Sequence, residues 1–109
     1  MTIKLIPTYP KTVITVLELP DRLHAGEWIT GRIVIRNDGD GGGTCRVIIL
    51  TVWDGSIYGT KEAYLNPGQE LEAIISEGVI KMPETDAVME IRAEHLKDSE
   101  WIVDDKRTH

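Results

Sequence analysis

Apolar and polar residues alternate with period two along much of the chain, the mark of half-buried β-strands. The clearest run is 28–36, WITGRIVIR. There Ile29, Ile33 and Ile35 share one face with Gly31, while Thr30, Arg32 and Arg36 share the other. A glycine inside such a run predicts a bulge or a close backbone approach. Residues 12–19, TVITVLEL, form the first strand, but both of its parities are apolar. Val13, Leu17 and Leu19 lie on one, Ile14 and Val16 on the other. A strand apolar on both faces needs cover on both. Residues 44–53 are continuously apolar from Val47 to Leu50 and predict the most buried strand. Residues 57–65 are more polar, contain Gly59 and read as an edge. Further strands are predicted at 70–76, 79–82, 87–96 and 101–103.

Turn chemistry separates these runs: Pro20-Asp21, Ala25-Gly26, the loop NDGDGGG at 37–43, Asp54-Gly55, Asn66-Pro67-Gly68 and Glu77-Gly78. Seven to eight short strands at this spacing predict an all-β fold, an antiparallel immunoglobulin-like β-sandwich. Pro7 and Pro10 keep residues 1–11 out of a central sheet, so they read as an extended N-terminal arm. The arm either covers one end of its own core or reaches a neighbouring subunit. The sandwich itself spans 12–103, and 104–109 read as a polar tail expected to fray.

Composition agrees with strands. Of 109 residues, 8 are Val, 14 Ile and 10 Thr, and there is no Phe, so Ile, Val, Leu and three Trp must build the core. With 12 Lys and Arg against 18 Asp and Glu, the formal charge is −6 and no basic run occurs. That argues against nucleic acid or an anionic bilayer as the main partner. No apolar stretch approaches the roughly 20 residues of a membrane span, so no membrane insertion is expected. The opening MTIKLIPTYPK lacks the apolar core and cleavage site of a secretory signal. Cys45 is the one cysteine, so no intrachain disulfide forms and a reducing compartment is permitted.

The turn motifs carry a resemblance. Leu23-x-Ala-Gly-Glu-Trp-Ile-x-Gly leads into Ile33-Val-Ile-x-Asn-Asp-Gly, followed by Val52-Trp-Asp-Gly and Leu65-Asn-Pro-Gly-Gln. This resembles the CARDB-like group of immunoglobulin-like domains over residues 12–96. The close, Met82-Pro-x-Thr-Asp-x-Val and Glu100-Trp-Ile-Val-Asp-Asp, looks like sandwich modules of surface and of bacteriophage or archaeal-virus structural proteins. The run from Gly26 to Ile35 is also similar to the opening of arrestin-like sandwiches. The resemblance implies an adhesion, spacer or assembly role and brings no catalytic residues with it.

Candidate chemistry is sparse. Asp38-Gly-Asp40-Gly starts like a calcium loop, but the later ligand positions hold Gly42 and Ile49, so it reads as a hairpin loop. His24, His95 and His109 lack metal spacing. His95 shares the inward parity of Met89, Ile91 and Ala93 and reads as a hydrogen-bonded residue at the core edge. Cys45 shares parity with Val47 and Ile49 and reads as a buried thiol. No nucleophile elbow, phosphate loop or dinucleotide fingerprint occurs, so no enzyme, cofactor or metal is expected. Candidate contact residues are Ile3, Leu5 and Tyr9 of the arm, Ile14 and Val16 of the first strand, and Trp28, Tyr58 and Trp101. Exposed aromatics mark protein interfaces or sugar platforms. The expected function is therefore a structural interaction module of a virion or surface assembly, made in the cytoplasm. It would contact copies of itself or a larger body such as a capsid or filament. The alternatives are a carbohydrate- or cell-surface-binding module and an arrestin-like adaptor.

Overall fold

The computed structural model describes residues 1–3 and 8–109, and the backbone alone at 59 and 60. Among the described residues seven strands follow in order: β1 Thr12–Glu18, β2 Trp28–Asn37, β3 Gly43–Thr51, β4 Ser56–Leu65, β5 Glu70–Lys81, β6 Met89–Lys97 and β7 Glu100–Thr108. They form two antiparallel sheets, β1-β2-β5 and β4-β3-β6-β7. In immunoglobulin lettering this is A-B-E facing C′-C-F-G, with the fourth strand in the second sheet.

The alternating runs put their apolar parity between the sheets. Ile33 and Ile35 of β2 and Val47 and Ile91 of the facing sheet are completely buried. Cys45, Leu71, Ala73, Ile75, Ile80 and Ala93 complete the layer. Branched aliphatic side chains thus fill the interior that the absent phenylalanines leave to them.

The two-faced apolar pattern of β1 has a local cause. Ile14 pairs with Ile35, but Val16 pairs with Val34, so Thr15 is an extra residue in the ladder. A bulge exchanges the faces. Before it Ile14 points inward, and after it Leu17 and Leu19 pack on the core. Ile14 is therefore a core residue at 4% exposure and not a contact residue.

Gly31 stands where β2 and β5 lose register, and a Cβ there would come within 2.5 Å of the Glu18 carbonyl oxygen. The reading of a bulge or close approach holds on both counts. The predicted turn at Glu77-Gly78 does not reverse the chain. β5 pairs with β2 through Gly31↔Ile75, loops outward, and resumes with Ile29↔Ile80. Gly78, at φ 96°, supplies the positive φ of this wide bulge. The polar run 104–109 is likewise no frayed tail, because β7 continues to Thr108 and His109 exchanges both backbone bonds with Met89.

Ile33 lies at the centre of this packing. Replacing Ile33 by Ala should lower unfolding free energy by about 2–5 kcal/mol, measured by denaturant titration. A loss below about 1 kcal/mol would place Ile33 outside a close-packed core.

Candidate interaction site

Three regions decide what the sandwich can present: the end where the arm joins, the seam between β1 and β7, and the seam between β4 and β5.

At the arm end, Asn37 is fully buried and uses its whole amide. Its Oδ1 accepts from the backbone N–H of Lys11 at 3.1 Å and of Gly39 at 2.9 Å. Its Nδ2 donates to the carbonyls of Gly41 at 2.9 Å and Leu65 at 3.0 Å. The glycines of the loop then let Thr8 to Pro10 lie directly on it. A Cβ on Gly39 would meet the Lys11 nitrogen at 2.5 Å, and one on Gly41 the Thr8 carbonyl carbon at 2.9 Å. Both far exceed the tolerance of packed atoms. The loop is a seat for the arm of the same chain. Asp38 is clamped by Arg36, whose guanidinium holds its carboxyl below the usual carboxylate range.

The β1–β7 seam is closed by side chains. Asp104 Oδ2 accepts from the Thr12 backbone N–H and hydroxyl, each at 2.8 Å, and lies 2.6 Å from His95 Nδ1. Asp105 accepts from the Ile14 N–H at 2.9 Å, and Arg107 donates to the Ile14 carbonyl at 3.2 Å. These carboxylates satisfy the edge of β1 as a further strand would. His95, 3% exposed, is the hydrogen-bonded core-edge residue its parity predicts. Beneath the seam Cys45 is buried, and burial, with Asp104 adding to it, pushes its thiol up to about 11.

The β4–β5 seam is different. Among the described residues neither strand has a ladder partner on that side. A groove of about 160 Å³ runs between them over Ile49, Ile75 and Ile80, with Tyr58, Ile74 and Val79 at its rim. Ile74 and Val79 are 56% and 49% exposed. A larger cleft of about 260 Å³ opens at the far end of the sandwich, floored by Leu23, Ile29, Met82 and Met89.

The predicted contact residues do not form one patch. Ile3 is 93% exposed and Leu5 lies outside the described residues. Tyr9 is half exposed, stacks on His95 and lies under Lys97. Val16 is half-buried beside Val34 on the outer face of the first sheet. Trp28 lies under Lys81, and Trp101 lies under Arg46 at 3.8 Å, with Arg46 held by buried Glu94. Tyr58 alone lines the open groove. Sequence reasoning missed Asn37, although the Asn-Asp-Gly strand end was visible as a motif, and it read Asp104 and Asp105 as an acidic, solvated tail. It also missed Ile74 and Val79, which the turn expected at Glu77-Gly78 kept apart.

No protein-family model matches the chain, and no curated protein matches it. Among solved structures it is similar to β-glucosidase 3B from Thermotoga neapolitana, determined with α-D-glucose, at 18% identity and a TM-score of 0.45. The match covers 93% of this chain and 16% of that chain, so this chain spans less than a fifth of the other's length.

Two outcomes follow from the closed seam. Asp104→Ala strands the Thr12 and His95 donors and should cost about 1–3 kcal/mol, whereas Asp40→Ala, exposed on the loop, should stay within about 0.5 kcal/mol by the same titration. The folded Cys45 thiol ionises above the unfolded one, so the folded state keeps its proton longer. Its contribution is complete below pH 9 and is lost as pH rises towards about 11. At pH 8 the native thiol should react with Ellman's reagent on the order of 100-fold more slowly than in guanidinium. Equal rates would mean that the thiol is accessible.

Proposed function

We propose that this chain is a non-catalytic interaction module that works by protein–protein contact within a larger assembly. The observation that carries the reading is the contrast between its seams. One is sealed by four side-chain hydrogen bonds to β1 and by His95 on Asp104. The other leaves an apolar groove and two unpaired strand edges open to solvent. Free edges beside exposed aliphatic side chains are what strand-adding partners use.

The motif resemblance supports the same reading in finer form. A CARDB-like module of a virion, filament or surface structure, built in the cytoplasm, needs recognition surfaces and no chemistry. The lone buried thiol suits that compartment. A carbohydrate-binding role is the second reading, and the aromatic residues favour it less. Trp28, Trp101 and Tyr9 each have a ring face occupied by a cation of the same chain. They also lie on different elements, whereas a sugar platform needs adjacent free faces.

Light scattering across the micromolar range, paired with a glycan array, separates the two. The full chain should form concentration-dependent oligomers and leave the array blank. A chain that stays monomeric and retains a glycan would sink the assembly reading.

A further inference from the structure

The open seam and the arm complement each other. The groove is apolar at its floor, and β5 carries exposed Glu70 and Glu77 near it, while Glu72 on the outer face of the sheet is held by Arg32. Glu70 and Glu77 make no ion pair among the described residues, and both are exposed. Between Ile75 and Ile80 the wide bulge of β5 pushes Glu77 and Val79 away from β2 and towards solvent. A partner that fits here is extended, aliphatic and basic.

The chain carries such a segment. Residues 1–17 contain no Asp or Glu, and Ile3 and Leu5 flank Lys4, with Lys11 further on. No described residue of the arm lines the groove. Thr8 to Pro10 are held on the glycine loop at the end of the sandwich, while Met1 and Ile3 stand bare in solvent, Ile3 at 93% exposure. Among the described residues, Met1 and Ile3 of the arm and the floor of the groove therefore have no partner in the same molecule.

We infer that the groove between β4 and β5 receives the N-terminal arm of a second copy of this chain. The incoming arm adds as a strand along β5, lays its alternate aliphatic side chains over Ile75 and Ile80, and sets Lys4 against the β5 carboxylates. The groove has room for an aliphatic side chain or two, so each contact is small and weak. Reciprocal or repeated exchange supplies the avidity. This rests on the assembly reading above and names its partner.

The test is disulfide trapping in the full chain, where the buried Cys45 stays silent. Chains carrying Ile3→Cys and Ile74→Cys are mixed under mild oxidation. The cross-linked pair should form at least about tenfold faster than the pair of Ile3→Cys with Lys106→Cys, because only a docked arm raises the local thiol concentration. In parallel Ile74→Asp, at a half-exposed position, should weaken association about tenfold or more while the melting temperature is retained. Equal trapping rates, or unchanged association of Ile74→Asp, overturn the assignment of the groove. If the wild-type chain still associates in that case, the assembly reading stands without it. If the wild-type chain does not associate at all, self-assembly fails with it.

Discussion

Asn37 is where the parts of this small sandwich meet. Its amide has two acceptor sites and two donors, and all four are used inside the protein. Through them the arm, the glycine loop and the end of β4 share one fixed point. Its own backbone adds the β4–β5 turn, giving its N–H to Gln69 and accepting from Gly68. A buried polar network of this kind helps only when every member is satisfied. An aspartate would turn two donors into oxygens facing the Gly41 and Leu65 carbonyls. The glycines follow from the same constraint, since the loop that Asn37 folds back must let the arm cross it at backbone contact.

Much of the interior was legible because central strands of a sandwich see an apolar layer on one side and water or charge on the other. The alternation in β2 and β6 therefore translates directly into burial of Ile33, Ile35, Met89 and Ile91. What escaped were departures from a perfect ladder. Thr15 is as good a strand residue as its neighbours, so nothing marks it as the bulge that turns Ile14 inward. Asp104 and Asp105 read as solvated by residue type, yet as ladder substitutes at an edge they are buried enough to bond β1. At Gly78 the turn signal was real, but the backbone used it to bulge and return to the same partner. The open groove arises from that detour, and period and propensity do not report it.

The two flanks of the sandwich solve the edge problem in opposite ways. Strand edges carry unpaired backbone groups and must be blocked or used. Along β1 they are blocked by carboxylates and an arginine from β7. Along β5 they are left beside aliphatic side chains, with exposed Glu70 and Glu77 nearby to repel other acidic surfaces and admit a basic one. In a chain of net charge −6, the acid-free stretch before Glu18 is the unusual segment, and it precedes a domain whose one unfinished flank is acidic.

The closed seam has a mechanical consequence. Thr12 meets Asp104, Ile14 meets Asp105 and Arg107, and Pro20 meets His109, so β1 and β7 run side by side in the same direction. The arm leaves at one end of this pair and the last residue lies at the other. Tension applied between the two ends would pull the strands lengthwise past each other. It would load every bridging bond at once rather than peel them one by one. Resistance to such pulling is set by the rate of unfolding. A handful of carboxylate bonds would then give a disulfide-free module its tensile strength, with the force path running down one flank and leaving the groove on the other flank unstrained.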